Sequence, residues 1–239
     1  MEWIADYALK SDELETLNSA NPYTRLREAA ARIYTSEKYQ SRGEIGEMCL
    51  HDICRRYFET IPLAPRVFYL TSSNEVVKSF DMVHVRYLGD DDFELWLGEA
   101  KFYTDSNQAI KAAIASVKSH IEAGFLKHEK RIIGPQVSKN IPHSNAIRKL
   151  FASETSLDQL FETAVFPVLI AADSHGASRC TTADATYLAH VQSELASLAK
   201  AITKSELKTS IQVYLIYVPL GSKAELAEKF DAKLKGQMA

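Results

Sequence analysis

The stretch Phe80–Tyr103, FDMVHVRYLGDDDFELWLGEAKFY, decides how the rest of the chain is read. It contains two apolar runs, Phe80–Leu88 and Phe93–Tyr103, separated by the turn Gly89-Asp90-Asp91-Asp92, which is the pattern of a β-hairpin. Both faces of each run are largely apolar: Met82 stands against Val83 and Val85, and Trp96 against Leu95 and Leu97. A strand covered on both sides carries such a pattern, so the spacing predicts a hairpin inside a sheet flanked by helices. Three charges interrupt it at one end. Asp81 opens the first strand, and Glu99-Ala100-Lys101 closes the second. Carboxylates and ammonium groups are rarely accommodated at the edge of a buried sheet without a partner or a task.

Upstream of the hairpin, residues 1–20 read as a polar lead-in, a short helix or a contact arm. Asn21-Pro22 then offers an N-cap and a first-turn proline for a helix carrying Leu26, Ala29, Ala30 and Ile33. Gly43–Phe58 reads as a second helix, with Ile45, Cys49, Ile53 and Tyr57 repeating at helical spacing and Met48 and Leu50 beside them. A further extended segment is expected at Arg66–Leu70. Downstream, Asn107–Ala123 returns to helical spacing through Ile110, Ile114, Val117 and Ile121. Residues 124–163 are irregular, with short helices expected at Ser144–Phe151 and Ser156–Thr163. Phe166–Ala172 reads as a strand, and Ala183–Lys204 as a long helix with Leu188, Val191, Leu195, Leu198 and Ile202 inward. Ile211–Leu220 reads as a last strand, and Ser222–Lys235 as a charged terminal helix.

The predicted order is therefore α-α-β-β-β-α-β-α-β, an α/β sandwich whose central mixed sheet is flanked by helices. A single domain over residues 1–239 is expected: a helical lead-in to 41, a core from 42 to 220 with the irregular insert 124–163, and a terminal helix from 221. With 28 Lys plus Arg against 31 Asp plus Glu, the net charge of -3 argues against a surface that is basic all over, and leaves room for a local basic groove. Cys49, Cys54 and Cys180 show no CxxC or mixed His/Cys spacing, and are expected to be free, buried thiols. No run approaches the roughly 20 apolar residues that span a bilayer, and the acidic start MEWIADYALKSDELE lacks the form of a signal peptide. A soluble cytoplasmic protein with no membrane partner is expected.

The charged end of the hairpin suits hydrolysis of a phosphodiester, which needs a hard cation, a positioned water and help for the leaving oxygen. Magnesium binds few carboxylates and keeps several waters, so Asp81, Glu99 and the backbone carbonyl of Ala100 suffice as ligands, with manganese the alternative ion. Lys101 lies two residues beyond Glu99 and so shares its face, where an ammonium orients the attacking water or stabilises charge on the phosphate. An E-x-K triplet alone carries little weight, since about one arises by chance in a chain of this length. Glu206-Leu207-Lys208 is such a decoy, with no apolar strand around it. The ordinary alternative is a surface carboxylate at a strand end with a snorkelling lysine paired to it. A third element shifts the balance: the helix start Gly43-Glu44-Ile45-Gly46-Glu47 places two acids on adjoining parts of one face, beside glycines that imply close approach of another backbone or a ligand. Glu47 is the acid expected to reach the metal site from the side, binding a second cation or a metal-bound water, with Glu44 the less certain neighbour.

These residues bear a resemblance. A helix with G-x-x-G-E, a strand starting with Asp and a strand ending G-E-A-K resemble the PD-(D/E)XK nuclease superfamily, restriction-endonuclease-like in fold, with Phe80 standing where a proline is usual. More narrowly, RGEIGEMCLHDI, KSFDMVHVRY and ELWLGEAKFY are similar to the HamA family, the nuclease subunit of the Hachiman antiphage system, and to the related AbpA. The resemblance implies a Mg2+-dependent deoxyribonuclease with Asp81, Glu99, Lys101 and Glu47 as its catalytic set. It also implies a superfamily-two helicase partner, HamB. A non-catalytic subunit that keeps the fold and binds DNA or a helicase is the alternative, and a full acid, acid, lysine set argues against it.

Two other features of the sequence bear on function. The segment 116–149 carries Lys118, Lys127, Lys130, Arg131, Lys139, Arg148 and Lys149 against Glu122 and Glu129, either a phosphate-tracking surface or an ordinary solvated face. Lys118, Lys127, Lys130, Arg131 and Lys139 are the DNA-contact candidates. Asp173-Ser174-His175-Gly176 lacks the G-x-S-x-G form and reads as the end of a strand, not a nucleophile turn.

Overall fold

A computed structural model describes the chain apart from residues 1, 10–12, 15, 17–19, 35–41, 64–79, 90–91, 123–129, 181, 206, 208–210 and 239. The described elements run α1 (Glu2–Ala8), α2 (Pro22–Ile33), α3 (Glu44–Phe58), β1 (Ile61–Pro62), β2 (Met82–Tyr87), β3 (Phe93–Tyr103), α4 (Ser106–His120), α5 (Ser144–Leu150), α6 (Leu157–Thr163), β4 (Ala164–Asp173), α7 (His175–Arg179), α8 (Ala185–Thr203), β5 (Gln212–Leu220) and α9 (Lys223–Met238). The strands form one sheet in the order β1-β2-β3-β4-β5. β1, β2 and β3 pair antiparallel, whereas β3, β4 and β5 pair parallel, so the sheet is mixed as the hairpin predicted. The expected strand at Arg66–Leu70 lies outside the described residues.

The hairpin register runs from Tyr87↔Phe93 to Met82↔Gly98. Its alternation sorts the side chains of β3 to two cores. Leu95 and Leu97 face one built with Ala109, Ile110, Ala113 and Val117 of α4 and Leu198 of α8, while Trp96, Ala100 and Phe102 face another built with α1, α2, α3 and α9. Each large side chain fully buried in these layers contributes about 1.5–3 kcal/mol relative to exposure. The β3–β4 ladder pairs Trp96↔Val165 and resumes at Glu99↔Val168. Pro167 falls in that gap, where a residue without an N–H cannot complete a central ladder.

Helix ends follow local chemistry. Asp105 caps α4 by accepting from Gln108 N at 2.7 Å, and Ser156 with Gln159 forms a capping box on α6. Asp184 caps α8 in the same way. Three sequence expectations need correction. The lead-in is a core element: Ile4, Ala5, Tyr7 and Ala8 of α1, with Leu9 after it, are buried against α2 and α3. Their spacing is an apolar helical stripe that the acids around it mask. Tyr57 is 78% exposed, because a four-residue repeat drifts around a helix of 3.6 residues per turn, and α3 instead buries Met48, Leu50, His51 and Cys54. Leu188 is 50% exposed, since α8 docks through its C-terminal half at Leu198.

The charged terminal helix α9 is docked, burying Phe230 and Leu234. Its Asp231 receives a 2.7 Å hydrogen bond from the buried Arg42, which precedes the N-cap residue Gly43 of α3. The three cysteines are free. Burial pushes the Cys49 thiol up to about 11 and Cys54 up to about 12, so neither is poised as a thiolate nucleophile. Among the described residues no helix is long and apolar enough to cross a membrane.

Candidate active site

At its open end the hairpin replaces a ladder bond by a side chain. The β2–β3 register ends at Met82↔Gly98, and Asp81 N still donates to Gly98 O at 2.9 Å. Beyond that point Asp81 Oδ2 accepts from the Ala100 N–H at 2.8 Å, standing where a further strand residue would have been. In a strand the N–H and C=O of one residue point to the same edge. The Ala100 carbonyl therefore shares the edge that holds the Asp81 carboxylate, as a ligand role for both requires.

Glu99 and Lys101 lie on the α4 face of β3, and the Lys101 ammonium bonds Glu99 Oε1. Glu99 is 3% exposed. Among the described residues its other oxygen, Oε2, is buried without a hydrogen bond. Burying a carboxylate oxygen without a partner costs free energy, so such an atom marks a site built for something other than packing. His120 Nδ1 stands 3.4 Å from it, within ion-pair range and short of good hydrogen-bond geometry.

Glu47 comes from the other side of the sheet. Its helix passes so close to β3 that a side chain at Gly46 would meet Phe102 Cβ at 3.2 Å and Ala100 Cβ at 3.6 Å, which bears out the expected close approach. Gly98 is constrained likewise, since a Cβ there would lie 2.7 Å from Leu50 Cδ2 of the same helix. The Glu47 carboxylate accepts from the Tyr7 hydroxyl at 2.6 Å. Glu44 is half-buried in the first turn of that helix. Asp81, Glu99 and Lys101 thus gather at one strand end, and Glu47 stands on the helix over the opposite face.

Among the described residues no three Asp, Glu, His or Cys side chains converge into a cage for a metal. Magnesium does not need one, because it takes one or two carboxylates and keeps its waters. Asp81, the unsatisfied Glu99 oxygen and the Ala100 carbonyl are the hard oxygen donors such an ion selects, so the residues present fit it.

Of the proposed DNA contacts, Lys118, Arg131 and Lys139 are exposed and Lys127 lies outside the described residues. Lys130 is turned inward, 4% exposed, with its ammonium bonded to Thr155 O at 2.7 Å and Ala152 O at 3.3 Å. It braces the insert, and burial holds its pKa below the usual lysine value. Arg148 likewise donates to Val137 O. The decoy Glu206 and Lys208 lie outside the described residues. Ser174 caps α7 and donates to Glu194 at 2.7 Å, so the Asp173–Gly176 segment ends β4 as expected.

Sequence reasoning missed Tyr7 and His120. His120 continues the buried stripe Ala113, Val117 of α4, so a histidine in an apolar register was the available signal. Also unforeseen is a buried polar group on the α3 face, where His84 Nε2 lies 3.0 Å from His51 Nδ1 and its Nδ1 lies 2.7 Å from Thr60 Oγ1. Burial first, then the neighbouring His51 and Arg55 charges, hold His84 well below the usual histidine value of 6.5.

Neither the curated proteins nor the solved structures contain a match to this chain. A family model described as HamA matches residues 1–234 of the 239. That span includes the whole hairpin, the α3 acids and the sheet, and on it the chain belongs to the HamA family, a component of the Hachiman defence system.

Proposed function

We propose that this chain is a metal-dependent deoxyribonuclease of PD-(D/E)XK type, the effector of an antiphage complex with a helicase partner. The observation that carries the reading is the buried, unsatisfied Oε2 of Glu99 beside the Lys101–Glu99 pair, at the strand end where Asp81 is fixed to Ala100 N. Asp81, Glu99 and the Ala100 carbonyl would hold Mg2+, or Mn2+ in its place. Such an ion, when bound, supplies neutralising charge on the scissile phosphate and acidifies a water.

The chain's own groups do the rest. In hydrolysis a water oxygen bonds to phosphorus, the bond from phosphorus to one bridging oxygen breaks, and that oxygen leaves with a proton as a hydroxyl. Lys101, held by Glu99, orients the incoming water or stabilises the negative charge building on the phosphate. A compact ammonium suits that place better than a planar guanidinium. Glu47, held by Tyr7 on the other face, has an outer role in ordering water around the cation. Exposed Arg131, Lys118 and Lys139 are the remaining candidates for phosphate contacts.

The test is plasmid cleavage by the purified chain, alone and with a superfamily-two helicase of the HamB type, in Mg2+ with and without EDTA. Cleavage that EDTA abolishes, and that Asp81→Asn and Glu99→Gln abolish in folded protein, supports the reading. Metal-dependent cleavage unchanged by both substitutions overturns it. A chain inactive under every condition that still binds DNA or the helicase supports the non-catalytic alternative.

A further inference from the structure

We propose that His120 is a positioning residue of this site, holding the Glu99 carboxylate through Nδ1; the inference rests on the nuclease reading above. The juxtaposition is specific. His120 and Glu99 are each 3% exposed, and Nδ1 and Oε2 lie 3.4 Å apart on the side of Glu99 that Lys101 leaves unbonded. The imidazole also packs edge-on against Phe80, with centroids 4.8 Å apart, and Phe80 is the residue before Asp81. One side chain therefore touches the carboxylate at the end of β3 and the neighbour of the carboxylate at the start of β2.

A histidine at a helix C-terminus has an electrostatic reason to be there, since the last turn of a helix favours positive charge. That reason is met equally well in solvent, and it does not account for a ring buried between an aromatic wall and a carboxylate. To hold the carboxylate, Nδ1 must carry the ring proton, because a carboxylate only accepts. At 3.4 Å the separation is long, and a contact of this kind shortens when the carboxylate engages substrate or cation. Glu99 has several rotatable bonds, and Lys101 restrains one oxygen alone. His120 restrains the other. It does so from a helix anchored at its far end by the Asp105 cap.

The test is calorimetric titration of Mn2+ into the full chain, comparing wild type with Glu99→Gln, His120→Leu and His120→Asn, each checked for native circular dichroism. Leucine keeps the packing on Phe80 without a donor, and asparagine restores a donor near the Nδ1 position with a smaller side chain. Outer-sphere partners of this kind change metal affinity by about 10–100-fold. Weakening of that order in His120→Leu, with most of the loss recovered in His120→Asn, is the expected result. Affinity in His120→Leu equal to wild type overturns the inference and leaves the nuclease reading intact. Equal weakening in both variants also overturns it, because packing and not the donor would then be responsible. A wild-type chain with no Glu99-dependent Mn2+ binding overturns the nuclease reading and this inference together.

Discussion

Two lysines are drawn into this protein, and they are satisfied differently. Lys101 lies two residues before the end of the central strand and bonds a buried carboxylate whose second oxygen no hydrogen bond reaches among the described residues. Lys130, in the insert, is more deeply buried and gives its ammonium to the carbonyls of Ala152 and Thr155. A cation satisfied by backbone carbonyls closes a loop and has nothing further to do. A cation paired to a carboxylate that is itself incompletely satisfied stands beside a buried polar atom that packing does not explain, and the proposed site rests on that atom. The contrast separates bracing from chemistry, though both lysines belong to the same residue type.

The sharpest way to break that contrast is to remove the carboxylate. Glu99→Leu is expected to lower cleavage by about 10³-fold or more, while urea denaturation shows little change in stability, because the Lys101 side chain is 19% exposed and its ammonium can turn to water once the carboxylate is gone. A large loss of stability in Glu99→Leu would make the pair structural. For Lys130→Ala the expectation is inverted. Loss of two hydrogen bonds from a charged group is expected to cost about 1.5–3 kcal/mol in urea denaturation, with the cleavage rate per folded molecule retained.

The buried histidine of β2 supplies a pH test. His84 is held well below 6.5, so the unfolded chain binds a proton there that the native state refuses. Stability from this group is fully present above pH 6.5 and is lost as pH falls below it, by up to about 1.4 kcal/mol per pH unit until the depressed native value is reached. Denaturation curves from pH 7.5 to 5 are expected to show that slope in wild type and a shallower one in His84→Gln. The smallest expected effect is Tyr7→Phe, which frees Glu47 of one hydrogen bond. Cleavage is expected to fall by about tenfold, the equivalent of one bond to a charged group, with little change in unfolding.

Much of the fold is legible in the residues because the apolar runs are long and their punctuation is strong. Phe93–Tyr103 is a strand over the whole predicted span, and β4 and β5 fall on their apolar runs. The Asp81, Glu99 and Lys101 set is legible for the same reason, since charges stand out against uninterrupted Val, Leu and Trp. Lys130 was not, because a bracing lysine and a solvated one have the same composition around them. Tyr7 and His120 escaped notice because they reach the site from α1 and α4, and no local spacing connects Tyr7 to Glu47 or His120 to Glu99. The exposed Tyr57 shows a different failure, a four-residue count carried too far along a helix of 3.6 residues per turn.

The most direct measurement sets the two lysines against each other: plasmid cleavage in Mg2+ by Lys101→Ala and Lys130→Ala, each corrected for its folded fraction, under conditions where the wild type cuts. The account expects Lys101→Ala to lose about 10²–10⁴-fold while Lys130→Ala keeps the wild-type rate. Equal rates for the two variants, or a Lys101→Ala protein that cuts as the wild type does, would contradict it.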